Sequence, residues 1–152
     1  MTACEVGFDG KLDDLIVGAD LDAVNYLAAR LAGLSPAHAE LLEALLESPL
    51  RQEALPAIAR VIDFTYNTDR YELYRAVHGP DDLAQYYIHH SGQIQMPPEW
   101  AEGIDLVRFG KHLEQHEPGH YTRHGYLIAT GLDWKPVFEA SGEAPPEYRI
   151  AP

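Results

Sequence analysis

The sequence predicts an α+β chain: a small helical bundle followed by a mixed domain of helices and short strands. Three observations lead there. Apolar residues recur at helical spacing through the first third of the chain, the stretch from Arg70 alternates apolar and polar side chains, and residues 125–130 form a short apolar run opened by glycine. With 152 residues and 46% apolar content, the chain is long enough to bury a core.

The elements follow in order. Asp20 is placed to cap a first helix, with Leu21, Val24, Leu27, Ala28 and Leu31 at helical spacing and Gly33 near its stop. Ser35 as N-cap and Pro36 at the first helical position open a second, whose Leu41, Leu42, Leu45 and Leu46 make a core stripe. A third is expected over 54–64, "ALPAIARVIDF". Short helices with tight connections predict a small antiparallel bundle. Residues 70–77, "RYELYRAV", alternate Tyr71, Leu73 and Arg75 with their neighbours and predict a strand. "GPDDLAQYYIHHSG" reads as a capped helix that Gly79 and Pro80 start and Gly92 ends. "PPEW" opens a further helical stretch, with Pro97 or Pro98 in its first turn, reaching Gln115 with an interruption near Gly103. "GYLIAT", residues 125–130, is a strand. The remainder, with Pro136, Pro145, Pro146 and Pro152, reads as a tail without a core of its own. The expected division is a short N-terminal segment plus helical domain over 1–66, an α+β domain over 67–135 and a tail over 136–152.

Charge narrows the function classes. Twenty-four acidic residues against eleven basic ones leave −13 with histidines neutral. Such a field repels nucleic acid and anionic membranes and attracts basic clefts from beyond contact distance. The charge is spread over the folding segments, from −5 over residues 1–22 to neutrality over 49–70, with no acidic tail. No run of about 18 apolar residues exists, and "MTACEVGFDGKLDDL" lacks the basic-then-apolar order of a secretory signal, so the expected location is the cytosol. The single cysteine, Cys4, has no internal disulfide partner and nothing around it to lower its pKa.

The acids fall in rows. Glu40, Glu43 and Glu47 stand at i, i+3 and i+7, beside the leucine stripe of the second helix. At about 1.5 Å rise per residue they span roughly 10 Å, near three phosphate steps of about 3.4 Å. Glu99, Glu102 and Asp105 repeat the spacing of three; Asp81 with Asp82, Glu114 with Glu117, Asp13 with Asp14 and Asp20 with Asp22 add pairs. Like charges so placed weaken an isolated helix by a few tenths of a kcal/mol per pair, and interleaved lysines would relieve this. Lysine is nearly absent: Lys11, Lys111 and, at the edge of the C-terminal tail, Lys135. Each row alone is also an ordinary solvated helix face; together they point to mimicry of the DNA backbone, carboxylates filling a cleft whose basic side chains hold phosphate.

The stretch "HLEQHEPGHYTRH" sets His112, His116, His120 and His124 four apart. In H-E-x-x-H the glutamate adjoins a zinc-binding histidine; here Glu114 is two residues from both His112 and His116, on another side of the helix. Pro118 and Gly119 should end the helix before His120. Zinc binding is therefore the weaker reading. His89 and His90 suit a helix C-terminus, and Tyr86 and Tyr87 suit a core better than a base-stacking platform. There is no G-x-S-x-G, no Gly-rich phosphate loop and no C-x-x-C, so no catalytic residue, metal or cofactor is assigned.

The succession "LDAVNYLAARL", "TDRYELYRAV", "DDLAQYYIHHSG", "MPPEWAEGIDLVRFGKHL" and "GHYTRHGYLI" resembles the middle and C-terminal portions of the ArdA family of antirestriction proteins, over roughly residues 20 to 130. Its most specific pieces are Tyr86-Tyr87-Ile88 after an acidic helix start, the proline-to-Ile104-Asp105 stretch followed by Phe109-Gly110, and Thr122 with His124-Gly125-Tyr126. The resemblance implies an elongated, non-enzymatic DNA mimic from mobile elements that occupies the DNA groove of Type I restriction-modification enzymes, at their methyltransferase and specificity subunits. It also implies a homodimer joined through its C-terminal portion, with the region of His112 to His124 supplying a helix and its following segment rather than metal ligands. Family members usually carry a further small N-terminal domain where residues 1 to about 19 stand here, so a shorter arc of charge and partial function are expected. Two other readings stand beside it: an acidic module of a mobile element that binds another DNA-binding protein, and a histidine-rich zinc-dependent enzyme.

Overall fold

Prolines and glycines set several element boundaries in the computed structural model, which describes residues 12–90 and 95–148. Cys4, Lys11, Gly92 and Pro152 lie outside the described residues. The helices are α1 (Asp13–Ile16), α2 (Leu21–Ala32), α3 (Pro36–Glu47), α4 (Arg51–Ala54), α5 (Ile58–Phe64), α6 (Pro80–His89), α7 (Pro98–Ala101), α8 (Leu106–His116) and α9 (Val137–Ser141). The strands are β1 (Tyr71–Tyr74), β2 (Gly119–Thr122) and β3 (Gly125–Ala129). The fold is thus mixed α+β. The chain divides into two units, one formed by 12–70 with 131–148 and the other by 71–130. Among the described residues no helix is long and apolar enough to cross a membrane.

In the first unit Ser35 caps α3 as expected, its hydroxyl accepting from the His38 N–H at 3.2 Å. Asp20 occupies the N-cap position of α2 with extended backbone but makes no side-chain capping bond. The buried face of α2 is Ala23, Tyr26, Leu27 and Leu31, while Leu21 is 58% exposed; the stripe turns so that the larger Tyr26 ring is covered. The expected helix over 54–64 is corrected to start at Ile58. Pro56 keeps the residue before it out of the helical region, and Leu55 lies at φ −130°, ψ 59°. Residues 51–54 form their own turn, α4. Leu27, Leu42, Leu45, Leu55, Val61, Ile62 and Phe64 are almost wholly buried and make the core.

The C-terminal segment returns to this unit. Asn67 holds it with two amide bonds, donating to the Lys135 carbonyl and accepting from the Lys135 N–H, each at 2.9 Å. Arg70 donates to the Asp133 carbonyl. Asp63, fully buried, accepts from the Phe138 N–H and, at 3.1 Å, from the Glu139 N–H. These are orphan donors of the first turn of α9, so a carboxyl group far away in sequence caps this helix. The segment has no core of its own, yet Phe138 and Ala144 are buried.

In the second unit three antiparallel strands lie in the order β1-β3-β2. The register runs from Tyr71 opposite Ala129 to Tyr74 opposite Tyr126, and from Gly119 opposite Ile128 to Thr122 opposite Gly125. β1 is shorter than the expected strand over 70–77: Arg70 closes a 3-10 turn, and Ala76 turns to φ 67°. β2 was not expected from the sequence. It forms through hairpin pairing with β3 across Arg123-His124, and the Thr122 hydroxyl accepts from the His124 N–H at 3.0 Å and donates to the Gly125 carbonyl at 2.9 Å. The helical stretch begun by Pro98 breaks after Ala101, and Asp105 caps α8 by accepting from the Arg108 N–H at 3.2 Å. Val77, Leu83, Tyr87, Leu113, Tyr126 and Ile128 form the buried cluster.

Gly110 is where α8 meets the start of α6. A Cβ there would stand 1.7 Å from the Pro80 carbonyl oxygen, with backbone on every near side. Gly110→Ala should therefore destabilise the protein by about 3 kcal/mol, the upper range of overpacking, seen as a lower denaturation midpoint. Gly33→Ala, whose Cβ meets nothing nearer than 3.6 Å, should change stability by less than about 1 kcal/mol. Asp63→Ala leaves two N–H groups of α9 without their acceptor and should cost about 3 kcal/mol. Limited proteolysis should then cut first within 131–148.

Candidate functional site: the acidic surface

None of the fourteen carboxylates singled out from the sequence is buried. Asp13 and Asp14 begin α1, Asp20 caps α2 with Asp22 in its first turn, and Asp81 and Asp82 begin α6. Helix N-termini carry partial positive charge, which offsets the repulsion within each pair. Asp82 also accepts from the His78 N–H at 3.0 Å. Asp14 is compensated: Arg51 approaches it at 2.5 Å, an exposed ion pair of small energetic value.

The row on α3 stays whole. Glu40, Glu43 and Glu47 lie within one unbroken helix, the first two half-buried and the third exposed, while Leu41, Leu42, Leu45 and Leu46 are buried. The second row does not share a helix face. Glu99 lies in the first turn of α7, Glu102 caps the end of that helix and Asp105 caps α8; all three are exposed.

Glu114 and Glu117 do something the sequence did not reveal. Glu114 accepts from the Tyr121 hydroxyl at 2.5 Å, and Glu117 accepts from the Tyr74 hydroxyl at 2.6 Å. Tyr126 donates to the Glu117 carbonyl at 2.8 Å, and the Tyr74 ring stacks on Tyr86 at 4.3 Å. These two carboxylates, half-buried, fasten α8 to the sheet. Burial first, and then the bond to a carboxylate, pushes the phenols of Tyr74 and Tyr121 far above their ordinary range.

Apart from Arg51, the described arginines of the first unit are turned elsewhere. Arg30 donates to the Thr65 hydroxyl at 2.9 Å and carbonyl at 3.2 Å and lies 3.8 Å over the Tyr66 ring. Arg60 lies 4.2 Å over the Trp134 ring, with Glu139 at 3.8 Å. Arg70 engages Asp69 and the Asp133 carbonyl. None of these partners is among the fourteen acids. Residues 1–70 and 131–152 hold sixteen acids against seven cations, a net −9; residues 71–130 hold eight against four, a net −4.

The four evenly spaced histidines separate. His112 and His116 share a face of α8, His120 lies on β2 and His124 in the turn before β3. Among the described residues no group of three or more His, Cys, Asp or Glu side chains is arranged to hold a metal ion. Tyr87 is buried in the core and Tyr86 packs against it.

Tyr26, buried and hydrogen-bonded to Tyr66, is pushed up to about 12. For a phenol whose folded pKa exceeds the unfolded value near 10, the unfolded chain loses its proton first as pH rises. The stabilisation is complete below about pH 10 and falls away above it. Spectrophotometric titration should show Tyr26, Tyr74 and Tyr121 withheld until the protein unfolds, and denaturation midpoints should drop as pH climbs past 10. Tyr121→Phe should remove one late-titrating phenol from that group.

A family model described as antirestriction protein (ArdA) matches residues 8–128, a span that runs from before α1 into β3 and stops short of the segment that docks on Asp63, Asn67 and Arg70. No curated protein matches the chain. With the match covering well over half of its length, the chain belongs to the ArdA family of antirestriction proteins.

Proposed function

We propose that this antirestriction protein acts as a DNA mimic, filling the DNA-binding cleft of a Type I restriction-modification enzyme at its methyltransferase and specificity subunits. Membership of the family implies action against restriction enzymes; mimicry supplies the physical means. The supporting observation is the placement of charge. Fourteen carboxylates stay at the surface while Arg30, Arg60 and Arg70 engage other partners. A cleft lined with basic side chains would meet surface carboxylates, of which the α3 row is the most regular. Two copies would extend the charged surface, and a homodimer belongs to the proposal. The protein contributes no bond chemistry; inhibition is occupancy.

Competition tests this. The purified protein should displace duplex DNA from a Type I methyltransferase core, and log affinity should fall linearly with log salt concentration, as it does for DNA itself. Replacing one carboxylate, for instance Glu43→Gln, should weaken inhibition by less than about tenfold, since single surface charges contribute about 1 kcal/mol or less. Neutralising six or more should abolish it. A single substitution that removes inhibition outright would replace a distributed field with one anchoring contact.

A further inference from the structure

Two side chains of α8 are left without a part in the acidic surface, and their geometry is specific. The Nε2 atoms of His112 and His116 lie 3.1 Å apart, with ring centroids at 4.6 Å. Both residues are exposed. We propose that they form a bidentate chelate for a divalent transition ion of the imidazole-binding class, with water in the remaining coordination positions.

The distance carries the argument. Two nitrogens 3.1 Å apart, each about 2.05 Å from a shared ion, subtend about 98° at it. That lies between the right angle of an octahedral cis pair and the tetrahedral angle, so zinc, nickel and copper all fit without moving the helix. Spacing of four on one helix holds both rings on one side. His116 is the last residue of α8, where the partial negative charge of the helix end favours a cation. The unit that holds the pair, residues 71–130, carries a net −4 as well.

Glu114 is not a third ligand, because it accepts from Tyr121. The site is therefore a surface chelate rather than a catalytic centre. Without an ion, one Nε2–H donates to the other Nε2. On binding, that proton is carried by Nδ1 of the same ring instead, both imidazoles stay neutral, and the ion exchanges two waters for two nitrogens. No redox step is involved. Magnesium and calcium, which take oxygen ligands, are excluded by the donor type.

Equilibrium dialysis of untagged protein against nickel or zinc at neutral pH reads the site directly. One ion per chain is expected, not displaced by excess magnesium. His112→Ala and His116→Ala should each weaken binding by at least about tenfold, because the second nitrogen binds as an intramolecular step. The double variant, with both nitrogens gone, should lose the one-per-chain binding altogether. His89→Ala should change nothing. Substoichiometric copper should broaden the ring signals of His112 and His116 together in the proton NMR spectrum. Equal, roughly twofold losses from each substitution, binding retained in the double variant, broadening centred on His120 or His124, or no binding at all would each overturn the proposal.

Discussion

Thirteen uncompensated negative charges on 152 residues oppose compaction, and the placement of both ions and apolar groups follows from that constraint. Acids cluster at helix starts: Asp13, Asp14, Asp20, Asp22, Asp81, Asp82, Glu99 and Asp105 all occupy a cap or a first turn. There the helix dipole lowers the energy of an anion, so charge is displayed where the backbone tolerates it best. The row on α3 has no such support, since Glu40, Glu43 and Glu47 lie past the first turn. The buried leucines on the other side of α3 supply the stability that lets that row persist.

Arginine resolves the same constraint from within. Placed among the carboxylates, Arg30, Arg60 and Arg70 would neutralise the surface. Instead each engages an aromatic ring or a carbonyl, where the guanidinium is more useful than an ammonium, and the carboxylates that Arg60 and Arg70 also meet, Glu139 and Asp69, lie outside the fourteen. Two of these contacts, with Asp63 and Asn67, bind the C-terminal segment to the helical unit. That segment lies beyond the family match, so the first unit is completed by residues outside the shared region.

Tyrosine does in the second unit what arginine does in the first. Tyr74 and Tyr121 donate to Glu117 and Glu114, joining α8 to the strands through donors that carry no positive charge. A lysine in either place would have made a similar link and erased the charge. The Gly110 contact with Pro80 gives this glycine a steric role: α6 and α8 meet too closely for any side chain at that position.

Much was readable along the chain. The starts of α2, α3 and α6, the strand at 125–129, the break of the helix before His120, and the surface position of the acids all follow from caps, prolines and periodicity, which act within a turn or two of the chain. The α5 boundary was misjudged because Pro56 outweighed the apolar pattern around it. What long-range folding settled was partnership. β2 exists because β3 pairs with it, Asp63 finds the helix it caps 75 residues away, and Glu114 and Glu117 acquire tyrosines from separate strands. The i, i+4 spacing of His112 and His116 was visible in the letters, but the 3.1 Å approach of their nitrogens depends on rotamers. Local preference sets which way a segment bends; hydrogen-bond partners far apart in sequence meet only once the core has closed around them.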